Sequence, residues 1–130
     1  MSDDSGIIAF DASYEYRIID GVVRVIEIES RRFVWSGKPD SENAYRLASA
    51  RALVGCVVLL EWWHRPAWEN LIKITSQGDV LWRSGPLLEV DTYVGLHGVV
   101  DAKVRVNSGS GFRYDLDWRT GEVLSRVFVK

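Results

Sequence analysis

Val100-Asp101-Ala102-Lys103-Val104-Arg105-Val106-Asn107-Ser108-Gly109-Ser110-Gly111-Phe112-Arg113-Tyr114-Asp115-Leu116-Asp117-Trp118 carries the clearest structural pattern in the chain. Val100, Ala102, Val104 and Val106 alternate with Asp101, Lys103 and Arg105, and beyond the turn Phe112, Tyr114, Leu116 and Trp118 alternate with Arg113, Asp115 and Asp117. A period of two marks antiparallel strands with one buried and one solvated face. A one-residue slip would turn every apolar side chain outward, so the register must keep both apolar sets together. Two such registers remain. One sets Arg105 opposite Asp115, Lys103 opposite Asp117 and Asp101 opposite Arg119; the other sets Arg105 against Arg113 and Asp101 against Asp117. Only the first gains cross-strand electrostatic energy. Asp115 and Asp117 therefore belong to a solvated charge ladder.

Working outward, Leu88, Val90, Thr92 and Val94 alternate with Glu89 and Asp91 in a further strand of the same kind. Strands are also expected over residues 14–19 and 22–29, joined by Asp20-Gly21, a dipeptide suited to the positive φ angles of a two-residue hairpin turn. Residues 31–35 read as another strand. The apolar run over 57–63 reads as a buried one, since it is short, continuous and β-branched. One segment departs from this pattern. Residues 43–54 hold Ala44, Leu47, Ala48, Ala52 and Leu53 at helical spacing, and Gly55 stands where a helix C-cap would. The expected fold is α+β and mainly β: a single domain, residues 1–130, with a twisted antiparallel meander of about seven to nine strands and one helix near residues 43–54.

Two segments repeat: Gln77-Gly78-Asp79-Val80-Leu81-Trp82-Arg83 and Thr120-Gly121-Glu122-Val123-Leu124-Ser125-Arg126. Each describes a turn whose glycine takes the left-handed conformation, followed by an outgoing strand. The strands leading into the two glycines differ in register by one residue. Extended upstream, Leu116-Asp117-Trp118-Arg119-Thr120-Gly121-Glu122-Val123-Leu124 resembles the inner hairpin of a PQQ-type β-propeller blade, with its Leu-Asp, two variable residues, Thr-Gly and an apolar strand ending in Trp. The first copy keeps the Trp as Trp82 but has Ser76-Gln77 before its glycine; the second keeps Asp117 and Thr120 but has Ser125 at the Trp position. The resemblance implies a blade-like meander. It carries over no cofactor-binding residue, and a closed propeller of at least four blades of about forty residues would need a longer chain.

The 130 residues are 47% hydrophobic and 26% charged, enough to bury a core without disulfides or a structural metal. Sixteen basic residues face eighteen acidic ones, and no basic stripe of the kind that neutralises nucleic-acid phosphates is visible. Asp3, Asp4, Asp11, Glu15 and Asp20 make the first twenty residues acidic; a solvated tail is the plain reading of that cluster, a contact for a basic partner the sharper one. The first residues lack the basic and apolar regions of a signal peptide, and the longest apolar run, residues 52–60, is far below the roughly twenty residues of a spanning helix. A cytoplasmic protein without a membrane contact is expected. Cys56 is the only cysteine, and its apolar setting should keep it a protonated thiol.

His64 and His97 are the only histidines, too few with Cys56 for a recognisable zinc site, and His97 between Leu96 and Gly98 reads as a turn residue. Gly95-Leu96-His97-Gly98 lacks the lysine and the strand-to-helix setting of a phosphate loop. Glu61-Trp62-Trp63-His64-Arg65-Pro66-Ala67-Trp68-Glu69 holds three of the six tryptophans beside an arginine, residue types that dominate binding hot spots. Alternate tryptophans here could equally close the core at a sheet edge. Glu61, Trp63, His64, Arg65, Trp68 and Glu69 are the candidate partner-binding residues, with no cofactor and no metal implied. In size, acidity and lack of a catalytic constellation the chain resembles bacterial toxin-immunity proteins, which implies occlusion of a basic toxin domain. The alternatives are a small-molecule or carbohydrate-binding β domain, and a small enzyme using Glu61, His64 and Glu69.

Overall fold

The structure, a computed structural model, describes residues 6–61, 69–87 and 91–129. Within them the chain runs through twelve strands, and each hydrogen-bonds to its successor inside a group of four. The first sheet comprises β1 (Ile8–Phe10), β2 (Tyr14–Ile19), β3 (Val22–Glu27) and β4 (Phe33–Gly37). The second holds β5 (Ala44–Ala48), β6 (Cys56–Leu60), β7 (Leu71–Ile74) and β8 (Val80–Ser84), and the third β9 (Tyr93–Val100), β10 (Lys103–Ser108), β11 (Phe112–Asp117) and β12 (Val123–Phe128). All pairings are antiparallel.

The expected α+β fold with a helix at 43–54 is overturned: the described residues contain no α-helix, only a single 3-10 turn at Pro39–Ser41, and more strands than the seven to nine expected. A β-bulge explains the misleading spacing. Between Ala44 and Arg46 the register of β5 against β6 shifts, so Ala44 lies opposite Leu60 and Leu47 opposite Val58. The extra residue puts Ala44 and Leu47, three apart, on the same buried face, which an unbroken strand would forbid. Residues 51–54 then form a turn, and Gly55 has the positive φ of a C-cap, 102°, without any helix to cap.

The two hairpins are as expected in their turn and central register. The Asp20-Gly21 hairpin has both φ angles positive, 52° and 77°, and pairs Ile19 with Val22. Arg105 lies opposite Asp115 and Lys103 opposite Asp117, with the Arg105 Nε to Asp115 Oδ1 distance 2.9 Å. That ladder stops short of the expected Asp101–Arg119 pair, because Asp101 and Ala102, both with positive φ, form the β9–β10 turn. The strand expected from Leu88 begins only at Tyr93, and Leu88, Glu89 and Val90 lie outside the described residues. Asp11 and Glu15 do not belong to a solvated tail; they are 1% and 5% exposed.

The three sheets stack face to face. Tyr16, Val23 and Val25 of the first pack against Leu47, Val58, Leu60, Ile72 and Ile74 of the second. The opposite face of the second, through Val57, Leu59 and Leu71, packs against Val104, Val106, Tyr114 and Leu116 of the third. Buried on both sides, β6 needs an unbroken apolar sequence, which is why it reads as a continuous run. Polar stitches cross each junction. Asp11 accepts the amide of Gly55 (2.8 Å) and the Tyr16 hydroxyl (2.7 Å), and Lys73 donates to the Trp118 carbonyl (3.1 Å) with its ammonium 4.2 Å from the centre of that ring.

The repeat seen in sequence occupies equivalent places in sheets two and three, and sheet one contains a third copy with no glycine. In the β11–β12 turn the Gly121 amide donates to Asp117 O (2.8 Å) and the Asp117 amide to Glu122 O (2.8 Å). In the β3–β4 turn Arg31 and Glu27 repeat this, Arg31 N to Glu27 O and Glu27 N to Arg32 O both at 2.9 Å, with Arg31 at φ 60°. The β7–β8 turn is one residue shorter, closing from Gly78 N to Thr75 O. Three residues beyond the last residue of each turn stands Trp35, Trp82 or Ser125.

These tryptophans lock the stack. The Trp35 ring of sheet one covers Gly78 of sheet two so closely that a β-carbon there would fall 2.3 Å from Cζ2, and Trp82 of sheet two covers Gly121 of sheet three, with the corresponding approach 2.6 Å. Both glycines also hold positive φ, 83° and 77°. Trp82 is fixed in turn by its indole N–H, which donates to Trp118 O at 2.9 Å. Gly78→Ala or Gly121→Ala therefore combines left-handed strain with a ring displaced from its seat and should cost about 2–4 kcal/mol in urea unfolding. A loss no larger than that of an alanine at an unpacked turn glycine would show that the ring contact carries no stability.

Candidate functional groove

The first strands of the sheets, β1, β5 and β9, are each at a sheet edge and lie side by side. Between them runs an open groove of about 510 Å³, lined among others by Phe10, Arg46, Arg51, Leu96 and His97. Among its described lining residues there is no aspartate or glutamate, in a chain that has more acidic than basic residues. Both guanidinium groups rest on aromatic faces. Arg46 lies 4.0 Å from the Tyr45 ring centre and donates to the Tyr45 carbonyl at 2.8 Å, and Arg51 lies 4.7 Å above Phe10. Stacking of this kind holds the planar fork in place while leaving its N–H edge for an acceptor, and the fork geometry suits carboxylates and phosphates.

His97 is not a turn residue. It sits within β9, exposed, at the rim of this groove. Arg46 and Arg51 gave no signal in sequence because both were read into the helix expected at residues 43–54 and the groove they line depends on contacts between separate sheets. Spacing along the chain holds no record of that.

The tryptophan-rich segment joins β6 to β7, and Trp63, His64, Arg65 and Trp68 lie outside the described residues. Its two ends are placed. The Glu61 amide donates to Asn43 O at 3.0 Å and its carboxylate accepts from Asn43 Nδ2 at 3.2 Å, while Glu69 is exposed. Next to it, buried Asn70 ties the segment to sheet three, donating to Leu60 O (3.3 Å) and Tyr93 O (2.8 Å) and accepting from the Tyr93 amide. Cys56 is fully buried, and burial pushes its thiol pKa well above the ordinary value, as its apolar setting suggested. Among the described residues no three His, Cys, Asp or Glu side chains come together as metal ligands.

Asn70, at the described end of the β6–β7 segment, lies with Asp91 to Tyr93 and Ser108 to Ser110 at one end of the stack. There Asp91, almost fully buried, accepts the amides of Thr92 and Ser110, both at 3.0 Å, and the Ser110 hydroxyl. Burial works against its charge, but hydrogen bonds from Ser108, Ser110 and Thr92 outweigh it, so its pKa falls below the ordinary aspartate value.

Four-stranded antiparallel sheets, stacked face to face with their first strands converging, are the arrangement of β-propeller blades. No family model and no curated protein sequence matches the chain. Solved structures do. BamB from Moraxella catarrhalis is similar over 97% of this chain and 36% of its own, with a TM-score of 0.70 and 16% identity. The dihydro-heme d1 dehydrogenase NirN, in complex with DHE, is similar over 96% and 28%, with a TM-score of 0.70 and 13% identity. The quinohemoprotein alcohol dehydrogenase of Comamonas testosteroni is similar over 96% and 21%, with a TM-score of 0.61 and 19% identity. The chain thus spans about a third of BamB and less of the two dehydrogenases. At these identities the likeness is one of fold: the three sheets are β-propeller blades. This agrees with the blade resemblance of the Asp117–Thr120–Gly121 hairpin, while nothing among these structures supports the toxin-immunity resemblance.

Asp91 gives a test of the electrostatics. A carboxylate whose pKa is lowered by folding contributes stability that is complete above its unfolded value, about 3.9, and is lost as pH falls through the lowered native value. Wild type should exceed Asp91→Asn by about 1–2 kcal/mol at pH 7 in urea unfolding, and the gap should close progressively below about pH 4. A gap that stayed constant to pH 2 would mean that the charge of Asp91 contributes nothing.

Proposed function

We propose that this chain is a non-catalytic binding module that engages a protein partner, with the groove along β1, β5 and β9 as one contact and the β6–β7 segment, through Glu61, Trp63, His64, Arg65, Trp68 and Glu69, as a second. The observation that carries this reading is the groove itself: two ring-stacked guanidinium groups and a histidine, with no carboxylate among its described lining residues. Such a lining favours an acidic segment of the partner. It disfavours the basic toxin domain that occlusion by carboxylates would require, so toxin neutralisation forms no part of the reading. Likeness of fold to BamB and the dehydrogenases supports the blade architecture as a scaffold and says nothing of the partner.

A second reading, a small-molecule binder, draws on the same groove, whose volume lies within the usual range of about 300–1,000 Å³ for ligand pockets. One experiment separates the two. Affinity capture from the native lysate compares wild type with Arg46→Glu/Arg51→Glu and with Trp63→Ala/Trp68→Ala, each first shown to be folded by circular dichroism. The expected result is one stoichiometric protein partner, recovered by wild type and lost, by at least tenfold, in the arginine variant. Retention of that partner by both variants would reject both surfaces. Recovery of no protein by wild type, together with a small acidic molecule bound at the groove in native mass spectrometry, would replace the first reading with the second.

A further inference from the structure

The tryptophan lock exists at both internal junctions, and the two outward faces of the stack carry its components in exchanged sizes. Inside, the earlier sheet supplies a large residue, Trp35 or Trp82, and the later sheet a glycine, Gly78 or Gly121. On the outward face of sheet three the tryptophan position holds the small Ser125, and on the outward face of sheet one the glycine position holds the large Arg31. The backbone does not differ: Arg31 adopts the same left-handed conformation, and its turn has the hydrogen bonds of the Gly121 turn. A sheet-three face laid against a sheet-one face in the internal geometry would bring Ser125 onto Arg31. Trp with Gly would become Ser with Arg, a small residue meeting a large one with the order reversed.

Charge fits the same contact. Ser125 Oγ is 3.5 Å from Asp115 Oδ2, so a carboxylate, shared with Arg105, stands beside the small residue. Arg31 now reaches back over its own sheet to Glu15, at 3.4 Å, and is itself largely exposed. Both faces also leave large apolar side chains in water. On sheet one Phe33 is 59% exposed beside Arg24, and on sheet three Val127 is 48% exposed, while a concavity of about 440 Å³ lies around Val100 and Arg105.

We propose that two copies of this chain associate, the outward face of β9–β12 of each against the outward face of β1–β4 of the other, with Arg31 of one copy seated over Ser125 of its partner. The two contacts are equivalent by two-fold symmetry, and they join the described sheets of the two stacks into a closed ring of six. Since Arg17, Arg24, Lys103, Arg105 and Arg113 also lie on these faces, the contact is polar and weaker than the apolar internal junctions.

Sedimentation equilibrium of the full chain across a range of concentrations tests this, with a size-swap cycle of variants at exposed positions. Wild type is expected to form a dimer. Ser125→Trp alone sets a ring against Arg31 and should weaken association at least tenfold; the double variant Ser125→Trp/Arg31→Gly rebuilds the internal Trp-on-Gly pairing and should restore it. Circular dichroism confirms that each variant is folded. A wild type that stays monomeric at hundreds of micromolar, a larger assembly in place of a dimer, or a Ser125→Trp variant that dimerises like wild type would each overturn the proposal.

Discussion

A flat indole ring lying on a bare α-carbon is the contact on which the stack depends. Adjacent twisted sheets can pack their apolar faces at many offsets, because hydrophobic burial has no direction of its own. Trp35 over Gly78 and Trp82 over Gly121 remove that freedom, since only one offset places the ring where no β-carbon stands. The polar stitches act in the same sense. Asp11 must find the Gly55 amide, and Lys73 the Trp118 carbonyl, or buried polar groups lose their partners at a cost of about 1–3 kcal/mol each. Burial depresses the Lys73 pKa, opposed by nearby Asp117, and the Trp118 carbonyl and ring receive the buried amine.

The groove follows from that geometry. Each sheet begins with its edge strand on the same side, so stacking the sheets gathers β1, β5 and β9 into one surface. The bulge in β5 helps to place it: while Ala44 and Leu47 turn inward together, Tyr45 and Arg46 form the stacked pair beside the groove. Function in such a fold belongs to what the edges and connections present. The core does no more than hold the distances between them.

The parts that the sequence conveyed and those it hid differ in kind. The hairpin from Lys103 to Asp117 was legible to the residue, because alternation and cross-strand charge are properties of neighbours in one ladder. Gly78 and Gly121 announced themselves through positive-φ turns. The third copy, at Glu27 to Arg32, was silent, because Arg31 adopts the left-handed conformation that its sequence does not advertise. The helix expected at residues 43–54 was a real pattern with the wrong cause: a bulge reproduces the three-residue spacing of a helical face, and periodicity alone cannot separate the two.

By itself, then, the sequence determined the local alternation, the hairpins and the antiparallel character of this protein, all of which arise from interactions between residues close in the chain or in register with one another. Tertiary structure decided the division into three sheets, the ring-on-glycine locks and the meeting of Arg46, Arg51 and His97. Each of these joins side chains from different sheets, whose approach is governed by packing offsets between faces, and no periodicity along the chain encodes such an offset.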